Sequence, residues 1–158
     1  MSTFRPENIL STGIQFKSDA FVVIIKTSWN ASILDALELG CINVLESQKV
    51  AYKVITVPGA FEIPFAIQKT WHNAVDKKPS AFIALGCIIK GDTPHFDYVC
   101  KAVTDGALQL NLQLPVPTIF GVLTVDNEQQ ALERIGGIHG HKGEEAAITA
   151  LKMIELFS

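Results

Sequence analysis

The chain has 158 residues, 48% of them hydrophobic and 18% charged, with a formal net charge of -3 at pH 7. That length suits one domain with one hydrophobic core, and the composition excludes a disordered chain. A weakly acidic balance, with Lys77 and Lys78 the only adjacent basic pair, argues against a nucleic-acid surface.

Met1 to Ser11 is polar, contains Pro6 and lacks the apolar stretch of a signal peptide. Residues 1–12 are therefore expected to be a flexible N-terminal segment, with a single domain over 13–158. No run is long and apolar enough to span a bilayer. Cys41, Cys87 and Cys100 are isolated and form no CxxC pair, which suits free thiols in a reducing compartment. The expected location is the cytoplasm.

Ile14 to Lys17 alternates apolar and polar, as a short half-buried strand does. Phe21 to Ile25 is continuously apolar and β-branched, the pattern of a strand covered on both faces. Ile33, Leu34, Leu37, Cys41, Val44 and Leu45 recur at helical spacing. Tyr52 to Val57 predicts a second strand, ended by Pro58-Gly59. Phe61 to His72 predicts a helix with Pro64 in its first turn. Ala81 to Ile89 is the third core strand, and Phe96 to Leu112 a helix with Val99, Val103, Ala107, Leu110 and Leu114 on one stripe. Thr118 to Thr124 is a fourth strand. Asp126 or Asn127 caps a short helix through Arg134. Gly136, Gly137, Gly140 and Gly143 then break the chain before an amphipathic helix, Glu144 to Phe157.

Strands alternating with helices imply a parallel sheet with helices on both faces, an α/β three-layer sandwich. Ligands of such sheets bind beyond the carboxyl ends of the strands. That rule selects four loops: Ser28-Trp29-Asn30, Gly59-Ala60-Phe61-Glu62, Gly91 to His95, and Val125-Asp126-Asn127.

Three of the four loops carry usable chemistry beside a plainer role. In Gly91 to His95, Thr93 caps the helix and Pro94 fits its first position. Free N–H groups there attract phosphate or carboxylate, and His95 can move a proton near neutral pH. Trp29 either stacks on a planar ring or anchors the core. Asn30 either bonds a polyol or caps its helix. Glu62 either binds hydroxyls or answers the helix dipole. Phe120 lies in a strand and would ordinarily be core. Arg134 suits a phosphate and Lys142 a mobile anion, although both residue types are more often solvated. His139-Gly140-His141 is weak evidence for a metal, and no metal or cofactor is expected. P-loop, dinucleotide and GxSxG signatures are absent.

Taken together, Trp29-Asn30, Val57 to Pro64 (VPGAFEIP), Leu85-Gly86, Gly91 to Val99 (GDTPHFDYV), Pro117 to Thr124, Asn127-Glu128, Glu133-Arg134 and Gly140 to Gly143 resemble the 6,7-dimethyl-8-ribityllumazine synthase family of riboflavin biosynthesis. The resemblance runs through nearly all of the chain after residue 13. It implies a flavodoxin-like four-stranded parallel sheet, with an N-terminal strand added to a neighbouring subunit. The implied reaction is transfer chemistry joining 5-amino-6-(D-ribitylamino)uracil to 3,4-dihydroxy-2-butanone 4-phosphate, with release of phosphate and water.

The resemblance also assigns roles. Trp29 would stack on the pyrimidine, with Asn30 beside it. Ala60, Phe61 and Glu62 would line the ribityl chain, and Cys87, Ile88 and Ile89 would hold the ring edge through their backbone. Asp92, Thr93 and Arg134 would meet the phosphate, with Lys142 in support, and His95 would transfer protons. Phe120 would close the pocket from a neighbouring subunit. Implied partners are small-molecule substrates, copies of the chain in a pentamer or a sixty-subunit icosahedral shell, and riboflavin synthase. Ser28 stands where many members have arginine, and Cys87 where a small or hydroxylated residue is common. Competing readings are a lumazine carrier that has lost turnover, a structural shell protein, and an ordinary flavodoxin or receiver domain.

Overall fold

Continuous apolar runs need cover on both faces, and the computed structural model, described over residues 19–158, shows how they obtain it. Four strands, β1 (Phe21–Thr27), β2 (Ala51–Val57), β3 (Ala81–Ile89) and β4 (Thr118–Val125), form one parallel sheet in the order β2-β1-β3-β4. The long helices are α1 (Ala31–Ser47), α2 (Ile63–Asn73), α3 (His95–Gln113) and α5 (Lys142–Phe157), with a short α4 (Glu128–Leu132) after β4. The strand expected at Ile14 to Lys17 and the whole N-terminal segment, residues 1–12, lie outside the described residues.

Side-chain alternation along the strands divides the core into two layers. Val22, Ile24, Ile83, Leu85 and Leu123 pack with α1 and α5 residues such as Leu34, Leu37, Ala147 and Leu151. Val23, Ile25, Phe82, Ala84 and Val122 pack with Ile63, Ile67, Val103 and Leu110 of α2 and α3. The result is a three-layer α-β-α sandwich, as expected.

Several boundaries differ from the sequence expectation for tertiary reasons. β1 continues through Lys26 and Thr27. Burial disfavours the charge of Lys26, but bonds to Glu38 and Asp35 of α1 outweigh that and raise its pKa. The second helix opens with a single 3₁₀ turn at Ala60–Glu62 before α2 begins, with Pro64 in its first turn. α4 stops at Leu132 and does not reach Arg134. Its cap is Asn127, whose Oδ1 accepts from the Gln130 N–H at 3.0 Å. The glycine break is ordered as a small antiparallel hairpin, β5 (Ile135–Gly137) with β6 (Gly140–His141). Gly136 (φ 109°) and Gly140 (φ 78°) supply the left-handed backbone that the hairpin needs.

Candidate active site

In a sheet of order 2-1-3-4 the connections leave β1 and β3 in opposite directions, which opens a crevice at their carboxyl ends. A cleft of about 630 Å³ lies there. It gathers Trp29 and Asn30 from the loop after β1, Ala60, Phe61 and Glu62 from the loop after β2, Cys87, Ile88 and Ile89 from the end of β3, and His95 from the start of α3.

Trp29 is 71% exposed and Phe61 63% exposed, so both present apolar rings to the opening. The core role open to Trp29 from sequence is excluded. Exposed aromatics on a cleft lip mark a surface that binds something planar or apolar.

Asn30 sits in the left-handed region (φ 57°, ψ 49°), where asparagine is better tolerated than most residues. Its carbonyl accepts from the Ile33 and Leu34 N–H groups. Its side chain does not cap α1, however. Its Nδ2 donates to the Cys87 carbonyl at 3.0 Å and so fastens the Trp29 loop to the end of β3. The neighbouring Ser28 Oγ donates to the Pro58 carbonyl at 3.0 Å, tying the same loop to the one that follows β2.

Strand alternation assigns the β3 residues to opposite faces. Cys87 packs in the α1/α5 layer and Ile88 in the α2/α3 layer, so Cys87 meets the cleft through its backbone. Its thiol is pushed up to about 11 by burial and the charge of Glu128. The Cys41 thiol is pushed up to about 12, again chiefly by burial. Thiols react as thiolates. We therefore expect a thiol-specific reagent at pH 8 to modify half-buried Cys100 first, and Cys41 and Cys87 only on unfolding. Rapid labelling of Cys41 in the native protein would contradict this packing.

His95 is exposed at the first position of α3 and lines the cleft. The expected cap geometry is shifted by one residue. Pro94 occupies the N-cap position and has no side-chain cap, while Thr93 Oγ1 accepts from the His95 N–H at a long 3.4 Å. Asp92 and Thr93 are exposed beside this helix start but outside the cleft walls.

The remaining candidates are elsewhere. Phe120 is not core: it is 42% exposed on the edge strand β4, paired with Ala84 well short of the carboxyl ends of the strands. Phe120 and Lys142 line a separate cleft of about 410 Å³. Lys142 Nζ bonds Glu145 at 2.8 Å, and Arg134 Nη1 donates to the Gln130 carbonyl at 2.6 Å. The two histidines near the hairpin have structural partners. His141 Nδ1 accepts from the Glu144 N–H at the start of α5, and His139 lies 3.7 Å from Glu133. Among the described residues, no three His, Cys, Asp or Glu side chains gather as a metal site would need.

A larger cleft of about 710 Å³ lies at the amino ends of the strands, between Asp19, Lys77, Pro115 and Phe157. It holds no histidine and is at the wrong end of a parallel sheet for ligand binding. Sequence reasoning missed two residues of the first cleft's wall, Thr27 and, as a lining residue, Val99, while Gly59 was selected with its loop. The signal for Thr27 was present, since it continues the buried alternation Val23, Ile25 with a polar side chain.

A family model described as 6,7-dimethyl-8-ribityllumazine synthase matches residues 19–158. The 6,7-dimethyl-8-ribityllumazine synthase of Parabacteroides distasonis is 45% identical over 140 residues, covering 87% of this chain and 86% of its own. Proteins of the same name from Cytophaga hutchinsonii (46% over 134 residues, 83% and 82% covered) and Porphyromonas gingivalis (46% over 141 residues, 87% and 86% covered) are similar to the same degree.

Proposed function

The chain belongs to the 6,7-dimethyl-8-ribityllumazine synthase family, and we propose that the cleft at the ends of β1 and β3 is where it performs the family's condensation. It is a transferase that joins 5-amino-6-(D-ribitylamino)uracil to 3,4-dihydroxy-2-butanone 4-phosphate. The products are 6,7-dimethyl-8-ribityllumazine, phosphate and water. The observation that carries the site assignment is the pair of exposed aromatic rings, Trp29 and Phe61, on one cleft with His95.

In this reading Trp29 stacks on the pyrimidine, the backbone of Cys87, Ile88 and Ile89 meets the ring edge, and Ala60, Phe61 and Glu62 line the ribityl chain. Asn30 holds the Trp29 loop against β3. The amine adds to the ketone, and a proton must pass from nitrogen to the departing oxygen before water leaves and an imine forms. Loss of phosphate then requires a proton to leave carbon. Ring closure expels a second water. His95, at the cleft's edge on α3, is the group placed to carry these protons. Much of the acceleration comes from holding two substrates together.

Asp92 and Thr93, beside the start of α3, receive the phosphate through backbone and hydroxyl groups. Arg134, Lys142 and Phe120 lie away from the cleft of their own chain, and we assign them to the site of an adjacent copy. Exposed Phe65 on α2 and Leu108 and Leu112 on α3 are the kind of surface that a neighbour covers. This supports self-association, and the pentamer is carried by the family resemblance. A sixty-subunit shell, association with riboflavin synthase and a cytoplasmic location are carried by the family resemblance. No helix among the described residues is long and apolar enough to cross a membrane. Light scattering distinguishes monomer, pentamer and shell.

Mixing the protein with both substrates should raise lumazine fluorescence above the uncatalysed rate. No rise would sink the synthase reading and favour a carrier. Arg134→Ala should raise the KM for the butanone phosphate by about tenfold, the loss of one charge-assisted hydrogen bond, with little change in KM for the pyrimidine. An unchanged KM for the phosphate substrate would remove Arg134 from the phosphate site.

A further inference from the structure

We propose that the Thr27 hydroxyl is a hydrogen-bonding contact for the ribitylaminopyrimidine, and so a further specificity-determining residue; this rests on the cleft assignment above. Thr27 ends β1 at the crevice between β1 and β3 and lines the cleft beside Trp29, Asn30 and Gly59. It is 2% exposed, and its Oγ1 is buried with no hydrogen-bond partner among the described residues. Its side chain is in phase with Val23 and Ile25, which face the α2/α3 layer, whereas Lys26 turns to Asp35 and Glu38 on the other face.

Buried hydroxyls are nearly always bonded, and valine would fill the same space without an unsatisfied group. Ser28 one residue on shows the contrast, because its hydroxyl is consumed in fixing the loop to Pro58. Thr118, whose hydroxyl is likewise buried and unpartnered among the described residues, lies at the amino end of β4 and outside this cleft. Nearby walls of the cleft are apolar, from Ile88 and Val99. A group that both donates and accepts there suits a ligand carrying ring carbonyls, N–H groups and ribityl hydroxyls. A site built to bond such a group discriminates strongly against analogues that lack it.

The test compares Thr27→Val and Thr27→Ser with the unaltered protein. Titration with fluorescent 6,7-dimethyl-8-ribityllumazine reports binding without turnover, and steady-state kinetics follows each substrate separately. Thr27→Val should weaken lumazine binding and raise KM for the pyrimidine, each about fivefold to tenfold, the size of one net hydrogen bond. Its kcat, its KM for the butanone phosphate and its urea midpoint should stay near those of the unaltered protein, and Thr27→Ser should restore binding. Unchanged binding by Thr27→Val, or no recovery in Thr27→Ser, would overturn the proposal. An unaltered protein that binds lumazine but does not turn over, with binding weakened by Thr27→Val, would keep the proposal and remove the synthase reading. Absence of both binding and turnover would overturn both.

Discussion

Gly143→Ala is expected to destabilise the fold by about 3 kcal/mol, at the upper end of the usual cost of overpacking. Gly143 lies in the first turn of α5, where that helix presses on α1. A Cβ there would stand 2.0 Å from the Leu37 carbonyl oxygen and 2.8 Å from its carbon. Those are backbone atoms of a helix, so no rotamer change relieves the clash and one helix must shift against the α1/α5 core layer. Gly40→Ala makes a useful comparison. Its Cβ would meet the His141 ring at 2.2 Å, but a ring can turn away at the cost of its bond to the Glu144 N–H. That loss is worth about 1 kcal/mol. At Gly91 nothing lies within 4 Å of an added Cβ, and alanine should be close to neutral. Urea unfolding at one fixed protein concentration, needed because self-association shifts apparent stability, should rank the three. A Gly143→Ala midpoint equal to that of Gly91→Ala would show that α1 and α5 do not approach this closely.

His95→Ala is expected to lower kcat about 10²-fold, the modest end of general acid–base effects. The change removes a proton carrier from the cleft while leaving Trp29, Phe61 and the backbone of Cys87 to Ile89 in place. Positioning of the two substrates therefore survives, and a residual rate well above the uncatalysed one should remain. KM for the pyrimidine should change little, because the ring is held by other groups. Single-turnover fluorescence would separate the chemical step from binding. A kcat within twofold of the unaltered protein would remove His95 from the proton path and leave proximity as the main source of rate.

The sheet was legible because its strands are written as uninterrupted apolar runs. Ala81 to Ile89 has the same bounds in sequence and structure, and the Val103–Ala107–Leu110 stripe of α3 does face the core. Element ends were less legible. Lys26 belongs to β1 because Glu38 and Asp35, on a helix that begins four residues past the strand, offer its ammonium partners. The β5–β6 hairpin depends on two left-handed glycines that also read as a plain break. Trp29 and Phe120 show the limit most clearly. Both follow or occupy apolar strands and both could have been core, yet one opens onto the cleft and the other onto the edge of the sheet.

Sequence by itself determined the strand and helix succession, the four strand-end loops and the residue types able to stack, bond or move a proton. These are local properties, set by side-chain spacing of two or 3.6 residues and by turn chemistry. Only the tertiary structure decided which of those residues meet. The β2-β1-β3-β4 order brings Trp29, Phe61, Cys87 and His95 to one crevice although the chain separates them widely. The same order leaves Phe120 and Lys142 around a different opening. Strand parity then turned the Cys87 thiol away from the cleft while Thr27 lined it, a distinction that rests on which face each side chain takes when parallel strands pair in register.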